Sequence, residues 1–237
     1  MVMAEGYTVV SLSPLRKVIA ARMTEATRTI PHFRLVADME VDALLTLREE
    51  MNVVHPEAKV SLNDCLIKAC ASALVEHPVV NSQLVGNDVH RFHQADISIV
   101  MAIEGGLSTP VIRQANKKSV RDIAKEAKAL ASRAAKGQLK MEEITGGSFS
   151  VSNLGMYGVD QFDAIINPPQ CAILAIGCTK PHFVVSPERE ARIATLLRVT
   201  LSVDHRALDG ATAAAFLTSL RRRVEQPGQL FSSESER

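Results

Sequence analysis

One stretch near the end of the chain has residues whose types and spacing could perform acid–base chemistry. The sequence DHRALDGA places His205 four residues before Asp209, which Gly210 follows. A neutral imidazole suits a general base, because its pKa lies near neutral pH. We expect His205 on a loop between a strand and a helix, where catalytic side chains are often held. The alternative is a turn in which Asp209 and Gly210 supply only turn and helix-capping chemistry, and the pattern alone leaves both interpretations open.

The cysteines and the other histidines show no pattern typical of a disulfide framework or a metal site. The four cysteines, Cys65, Cys70, Cys171 and Cys178, lie in apolar sequence and form no C-x-x-C pair. Such cysteines are typical of buried free thiols in a reducing compartment. No histidine stands at ligand spacing from a pair of Cys, Asp or Glu residues, so we expect no metal.

The composition is that of an ordinary globular protein. Of 237 residues, 46% are hydrophobic and 22% are charged, and the formal net charge is +1. This balance gives no preference for nucleic acid or an anionic membrane. The basic run Arg221–Arg223 is better interpreted as the cationic end of a helix than as a phosphate patch. With no signal-peptide pattern and no apolar run near ~18 residues, the sequence predicts a cytoplasmic or matrix-type protein.

Capping residues predict five helices. Ser13-Pro14 begins a helix that runs to about Arg28, and Asp42 caps a short one over Ala43–Met51. The remaining three begin at Ser61 with a capping box to Asp64, at Ser119 with Asp122, and near Ala211. They end at about His77, Gly137 and Arg223.

Strand-like runs alternate with these helices without a strict βαβ rhythm. They cover residues 33–41, 89–92, 96–104, 108–112, 148–152, 170–177, 182–185 and 193–203. The order predicts an α/β (α+β) protein, with a mixed sheet and helices packed mainly on one side. We expect one compact domain over residues 8–231, with flexible ends at 1–7 and 232–237.

Longer stretches resemble the dihydrolipoamide acyltransferases of 2-oxo acid dehydrogenase complexes. The segment ITGGSFSVSNLGMYGVDQFDAIINPPQCAILAIG begins at Ile144, and SLSPLRKVIAARMTEA, IPHF and GLSTPVIRQANKKS begin at Ser11, Ile30 and Gly106. The resemblance runs in register from about residue 8 to 231 and includes DHRALDGA. It implies a fold similar to chloramphenicol acetyltransferase and homotrimers with active sites at subunit interfaces.

The resemblance also implies a reaction, the transfer of an acetyl-type group between a dihydrolipoyl thiol and coenzyme A. A thiol with a pKa of about 8.5 is mostly protonated at neutral pH, so His205 is assigned to take its proton. Ser152 in SVSNLG matches the family position whose hydroxyl stabilises the oxyanion of the tetrahedral intermediate. The alternative for Ser152 is a strand-end serine bonded to local backbone. No covalent acyl-enzyme is needed, since both thiols can react directly.

Asp209 is expected to hold the loop of His205 rather than to take part in a triad. In the family this aspartate pairs with an arginine from elsewhere in the chain, and Arg16 is the first candidate, with Lys17 and Arg22 as alternatives. Gly210 would allow tight backbone packing beside the loop.

The acyl group and the role of His32 are finer predictions. NLGMYGVDQFDAIINPPQ resembles the acetyl-transferring branch, which serves pyruvate or acetoin dehydrogenase, more than the succinyl or branched-chain branches. His32 in IPHF could line the lipoyl-side entrance, and a hydrogen-bonded structural histidine is the alternative.

The expected partners are a lipoyl domain, which supplies the lipoyl group in trans, and the decarboxylase and dehydrogenase components of the complex. This chain has no lipoyl domain, subunit-binding domain or Pro/Ala-rich linker, so an excised piece and a stand-alone enzyme both remain open. Many members use an apolar C-terminus to join trimers into cages. Leu230-Phe231 could serve here, but the SSESER that follows would resist burial, so trimer and cage stay open.

The sequence leaves two rival functions. Other coenzyme A-dependent acyltransferases of the superfamily usually carry a second histidine before the catalytic one, where this chain has Asp204. An assembly scaffold with little activity is the second rival, and the presence of His205, Asp209 and Ser152 argues against it.

Overall fold

The computed structural model describes residues 3–4, 6–103, 105–186 and 188–228. Its helices are α1 (Pro14–Thr29), α2 (Asp42–Val54), α3 (Leu62–Glu76), α4 (Val120–Ala135), α5 (Met141–Ile144) and α6 (Gly210–Glu225). Its strands are β1 (Met3–Ala4), β2 (Tyr7–Thr8), β3 (His32–Glu40), β4 (Ser82–Val85), β5 (Asp88–Arg91), β6 (Ile97–Ile103), β7 (Gly106–Ser108), β8 (Val111–Ile112), β9 (Phe149–Asn153), β10 (Ala172–Val185) and β11 (Ala191–Asp204).

The caps that the sequence predicts for α1, α3 and α4 are confirmed. The hydroxyl of Ser61 accepts the backbone N–H of Asp64 at 3.2 Å, and the Asp64 carboxylate accepts the backbone N–H of Ser61 at 2.8 Å. Ser13 and Ser119 cap their helices through the N–H three residues later. Local hydrogen bonds therefore determine where these helices begin.

The predicted cap of α2 is wrong. Asp42 is the first residue of the helix rather than its cap. Its carboxylate instead accepts hydrogen bonds from the backbone N–H of Thr195 at 2.8 Å and from the Thr195 hydroxyl at 2.6 Å. The hydrogen bond from the Thr195 hydroxyl holds the pKa of the Asp42 carboxyl below its ordinary value and outweighs burial, which acts to raise it. Asp42 thus joins α2 to β11, a contact between distant segments that sequence spacing does not reveal.

The main sheet is mixed, as predicted. Its strands follow the order β3-β11-β10-β9-β6-β7, and β8 also pairs with β6. β9 is parallel to β10 and to β6, whereas β10 pairs antiparallel with β11, and β11 with β3. The two strands predicted over 170–177 and 182–185 form one long strand, β10. β9 and β11 therefore run in opposite directions in the same sheet.

Helices α2, α3, α4 and α6 pack on one face of this sheet, which confirms the predicted layering. The core on that face joins Leu44 of α2, Leu66 of α3, Ile123 of α4 and Phe216 of α6 to Val199 of β11. A second, smaller apolar cluster joins α1 to β10 and to the segment before β10. Its buried members are Ala26, Ile30, Ala164, Ile166, Ile173 and Ala175. Within the described residues, no helix is both long and apolar enough to cross a bilayer.

The start of the chain differs from the sequence-based prediction. Residues 3–4 pair with residues 7–8 as β1 and β2, although the sequence predicts a flexible start. The C-terminal residues 232–237 and the apolar pair Leu230-Phe231 lie outside the described residues.

Candidate active site

His205 follows directly after β11, at the turn between this strand and α6, as predicted. Its backbone N–H donates to the carbonyl oxygen of Pro31 at 3.0 Å, which ties the turn to the start of β3. Its ring meets the ring of Phe33 edge-on, with centroids 5.3 Å apart and an interplanar angle of 83°. The side chain is exposed, and neither ring nitrogen has a hydrogen-bond partner within the described residues. The imidazole is oriented by packing while its nitrogens stay open to a reactant.

Asp204 and Arg206, on either side of His205, form the ion pair that fixes this turn. The Asp204 side chain is only 2% exposed, and its carboxylate accepts the Arg206 Nη2 at 2.7 Å, its Nε at 3.0 Å and its backbone N–H at 3.0 Å. The neighbouring carboxylate raises the pKa of Arg206. This ion pair was not predicted from the sequence. The only sequence feature that could have indicated it is the D-H-R spacing, which puts an acid and a base on either side of His205. A buried carboxylate with this many donors makes a rigid support for a catalytic side chain.

Asp209 caps α6, and among the described residues it makes no ion pair, so the expected pairing with Arg16 stays a prediction. Its carboxylate accepts the backbone N–H of Thr212 at 2.7 Å, and this hydrogen bond holds the pKa of Asp209 below its ordinary value. In the described residues neither Arg16 nor the alternatives Lys17 and Arg22 pair with it. The cap interpretation fits because a carboxylate at a helix N-terminus satisfies free backbone donors.

Gly210 allows the close packing that the sequence predicts beside the loop. A Cβ on Gly210 would stand 3.3 Å from Cε1 of Phe33, the residue whose ring contacts His205. The absence of a side chain at Gly210 therefore lets Phe33 lie between the start of α6 and the imidazole. Phe33 is a second residue of this site that the sequence analysis did not single out.

Ser152 lies near the end of β9, at the wall of an apolar cavity. It pairs with Ala175 of β10 and with Val100 of β6, and it is 8% exposed. Its hydroxyl makes no hydrogen bond within the described residues. The cavity has a volume of about 620 Å³ and is bounded by β6, β7, β9 and the end of α4. A hydroxyl that is free of local partners and lines a cavity can donate to a bound molecule.

The turn after Ser152 is held by Asn153. The Asn153 amide donates to the side-chain oxygen of Asn63 at 3.0 Å, and its oxygen accepts the backbone N–H of Gly155 at 2.8 Å. Gly155 must be a glycine here, because a Cβ would stand 2.6 Å from the carbonyl oxygen of Gly177. The SNLG segment thus fixes the end of β9 against α3 and β10.

The structure does not bring His205 and Ser152 together within one chain. Ser152 lies in register with Ala175, and Ala175 with Thr200 of β11, five residues before His205. With about 3.3 Å per residue along a strand and about 4.8 Å between strands, the two residues are on the order of 20 Å apart. Ser152 lies near the carboxyl end of β9 and His205 follows the carboxyl end of β11, and these two strands run in opposite directions.

His32 has the contacts of a structural histidine. Its Nδ1 lies 2.8 Å from the carbonyl oxygen of Ile30, and its Nε2 accepts the backbone N–H of Ile166 at 3.1 Å. These partners require the proton on Nδ1. With both nitrogens engaged, the ring joins the start of β3 to the segment before β10, and no nitrogen is left to bind a substrate.

The thiols are poorly placed to act as nucleophiles. Burial raises the pKa of the Cys70 thiol to about 12, and burial also raises that of Cys171. Cys178 donates to the Asp160 carboxylate at 3.1 Å, which raises the pKa of its thiol. A thiolate is the reactive form, so these environments oppose reaction. In the part of the chain that the structure describes, no three His, Cys, Asp or Glu side chains are grouped as metal ligands.

Comparison with known proteins places this chain in a family. The family model for 2-oxoacid dehydrogenases acyltransferase (catalytic domain) matches residues 4–232. The chain belongs to this acyltransferase family. Among the family's members, the dihydrolipoyllysine-residue acetyltransferase component of the pyruvate dehydrogenase complex of Zymomonas mobilis is 46% identical over 220 residues, 92% of this chain and 50% of that protein. The corresponding Rickettsia conorii protein is 42% identical over 94% of this chain and 55% of its own length. The chain thus spans about half the length of these relatives.

Solved structures of the family are similar throughout the chain. A probable dihydrolipoamide acetyltransferase from Listeria monocytogenes has a TM-score of 0.89 and 31% identity, covering 94% of this chain and 96% of its own. The Azotobacter vinelandii dihydrolipoamide acetyltransferase has a TM-score of 0.90 and 28% identity, covering 94% of this chain and 93% of its own. In that enzyme, investigations of the catalytic mechanism concern a serine, a histidine 52 residues later and an asparagine four residues after the histidine.

The predicted chloramphenicol acetyltransferase-like fold is confirmed. A chloramphenicol acetyltransferase matches with a TM-score of 0.53 and 11% identity, over 86% of this chain and 94% of its own. At this identity the likeness concerns the fold alone.

Proposed function

We propose that this chain transfers an acetyl group between a dihydrolipoyl thiol and coenzyme A, with His205 as general base and Ser152 as oxyanion donor. One observation carries the proposal. Ser152, His205 and Asp209 have nearly the spacing of the serine, histidine and asparagine under study in the Azotobacter vinelandii enzyme, since 53 residues separate the first two here and four separate the last two. The free imidazole of His205 and the free hydroxyl of Ser152 support the two roles.

In the proposed reaction the coenzyme A thiol attacks the acetyl thioester of the dihydrolipoyl group directly. The coenzyme A thiol gives its proton to His205 while its sulfur bonds to the acetyl carbonyl carbon. The carbonyl π electrons move to oxygen, and this oxyanion accepts a hydrogen bond from the Ser152 hydroxyl. Collapse of the intermediate breaks the carbon–sulfur bond to the dihydrolipoyl group, and the imidazolium returns the proton to the departing thiolate.

The site is completed by a second copy of the chain. His205 and Ser152 are on the order of 20 Å apart in one chain, by the rise and spacing of strands, whereas acid–base and oxyanion groups must both lie within ~3 Å of their reacting atoms. A neighbouring subunit that presents its Ser152 to His205 resolves this separation. A closed cyclic assembly, the homotrimer that the family resemblance implies, repeats the same contact at each interface.

The substrates and partners follow from the proposed reaction. Coenzyme A and a lipoyl group are both substrates, and a lipoyl domain supplies the latter in trans. The Zymomonas mobilis and Rickettsia conorii relatives are components of the pyruvate dehydrogenase complex, which supports an acetyl group and a place in the core of such a complex. A cytoplasmic or matrix location fits this role.

A transfer assay tests the proposal. Free dihydrolipoamide is supplied with acetyl-, succinyl- or isobutyryl-coenzyme A, and the thioester product is measured for wild type, His205→Ala and Ser152→Ala. We expect acetyl-coenzyme A to be preferred, with a loss of about 10²- to 10⁴-fold in kcat for His205→Ala and about 10²- to 10³-fold for Ser152→Ala. Undiminished turnover by His205→Ala would remove the base assignment, and preference for a larger acyl group would overturn the acetyl assignment.

A further inference from the structure

The position of Ser152 depends on the backbone of β9. Within the described residues its hydroxyl makes no hydrogen bond, so no polar contact of its own orients it. The strand is paired on both sides at Ser152, with Ala175 of β10 and with Val100 of β6. One residue later, Asn153 is paired with Ile176 of β10 and, among the described strands, no longer with β6. β9 therefore loses one of its two neighbouring strands directly after the proposed oxyanion donor.

A side-chain contact with α3 holds the chain where β6 no longer does. The Nδ2 of Asn153 donates to the Oδ1 of Asn63 at 3.0 Å, and the Oδ1 of Asn153 accepts the backbone N–H of Gly155 at 2.8 Å. Both ends of the Asn153 carboxamide are thus engaged, one with a helix and the other with the turn that follows the strand. Its orientation is fixed, because a flip would set its NH₂ group against the N–H of Gly155.

Asn63 lies on a firmly held part of α3. It is the second residue of the helix, inside the capping box between Ser61 and Asp64. Leu66, in the next turn, is 1% exposed, so the helix is anchored in the core. Within the described residues the Asn63 side chain makes no hydrogen bond besides the one to Asn153, so a substitution at Asn63 removes this contact alone.

We propose that Asn63 is a positioning residue for the oxyanion donor: through Asn153 it fixes the end of β9, and thereby the direction of the Ser152 hydroxyl. An oxyanion donor contributes only if it is placed before the charge develops, within about 0.5 Å of the productive geometry. Ser152 has no hydrogen bond of its own to supply that precision, whereas Asn63 ties its strand to a core helix. The inference rests on the proposed function and adds to it the group that holds the oxyanion donor in place.

A double-mutant cycle distinguishes positioning from general support of the fold. Transfer from acetyl-coenzyme A to dihydrolipoamide is measured for Asn63→Ala, for Ser152→Ala and for the variant that carries both. For Asn63→Ala we expect kcat to fall about tenfold, because a displaced donor stabilises the oxyanion less, and both KM values to change less than twofold. In the Ser152→Ala background the same substitution should lower kcat less than twofold further, since no hydroxyl is left to misplace. Losses that multiply in the double variant would overturn the proposal, because Asn63 would then act independently of Ser152.

Asn116→Ala is the matched control. Asn116 is also half-buried, and its side chain accepts the backbone N–H of Ala95 at 3.0 Å and donates to the side chain of Gln94 at 2.8 Å. Neither of these contacts involves β9 or its turn. We expect Asn116→Ala to keep kcat within twofold of wild type. A tenfold loss for this variant as well would indicate a general effect of a lost asparagine and contradict the specific role of Asn63.

Hydrogen exchange followed by mass spectrometry tests the contact without turnover. In Asn63→Ala we expect the peptide over residues 153–158 to exchange about fivefold faster, in keeping with one lost hydrogen bond, and the peptide over β6 to keep its rate. Unchanged exchange of residues 153–158 would mean that Asn63 does not hold this segment and would overturn the proposal. Undiminished transfer by Ser152→Ala, with the faster exchange present, would count against the oxyanion role in the proposed function and not against the hold of Asn63 on the segment.

Discussion

At the scale of single residues, the His205 turn depends on the ion pair between Asp204 and Arg206. The Asp204 side chain is only 2% exposed, so its charge is costly without a cation beside it. The Arg206 guanidinium is partly exposed and supplies that cation. We regard the pair as positioning the backbone on either side of the imidazole.

Arg206→Gln should therefore loosen the turn. Because the buried Asp204 carboxylate loses its cation, we expect the free energy of unfolding to fall by about 2 kcal/mol, below the full value for a buried pair since Arg206 is partly exposed. We also expect kcat to fall about tenfold with KM nearly unchanged, since a misplaced base slows the chemical step. Urea denaturation measures the free energy of unfolding, and the transfer assay measures kcat and KM. Asp204→Asn/Arg206→Gln, which removes both charges, should regain part of the stability, and a double variant as unstable as the single one would argue against the pair.

The sequence predicted some residues of this site and not others. The turn and helix start around His205 and Gly210 were predictable from H-x-x-x-D-G, whereas the assignment of His205 as base needed the family resemblance. Ser152 was predictable only through the family resemblance, since a serine in a strand carries no pattern of its own. The pairing of Asp209 with Arg16 was predicted only through the family resemblance, because an ion pair between distant segments depends on folding that spacing does not encode.

At the scale of elements, Glu76 joins the end of α3 to α6, the helix that follows the His205 turn. Its carboxylate accepts the Ser219 hydroxyl at 2.8 Å and the Arg223 Nη2 at 2.6 Å, with Arg222 at 3.2 Å. The Ser219 hydroxyl first, and then Arg223, lower the pKa of Glu76 to about 2. The ionised form is the one that holds the two helices together.

The pH dependence of stability should report this contact. Because the pKa of Glu76 is lower in the folded state, its contribution is complete above the ordinary value of 4.5 and disappears as pH falls toward about 2. We expect Glu76→Gln to lower the free energy of unfolding by about 1 kcal/mol at pH 7, a value reduced for partial exposure. The difference from wild type should shrink between pH 4.5 and 2. Glu49→Gln, at an exposed site on α2, is the control, and a difference that does not vary with pH would contradict the assignment.

Helix starts were predictable from sequence, but the order of strands was not. Ser13, Ser61 and Ser119 cap their helices through the residue three positions later, so a short window contains all the partners. Asp42 does not follow this pattern, because its hydrogen-bond partner Thr195 lies far along the chain, in β11. The antiparallel relation of β9 and β11, which separates Ser152 from His205, depends on pairings across the whole sheet.

At the scale of the whole molecule, the central claim is that each active site takes His205 from one chain and Ser152 from another. The register of the sheet keeps these two residues on the order of 20 Å apart in a single chain, which a change of side-chain rotamer does not bridge. In the proposed assembly neither residue would need to move far for catalysis, because a neighbouring copy would complete the site. Residue patterns alone predict no contact between copies, and only the family resemblance implies one.

Mixed oligomers test this claim most directly. His205→Ala and Ser152→Ala chains are each expected to be nearly inactive alone, and they are coexpressed or refolded together in equal amounts. In random assembly, about a quarter of the interfaces pair an intact His205 with an intact Ser152, so we predict about a quarter of wild-type transfer activity. If the mixture shows only the residual activity of the two separate variants, the two residues do not meet across an interface and the account is wrong.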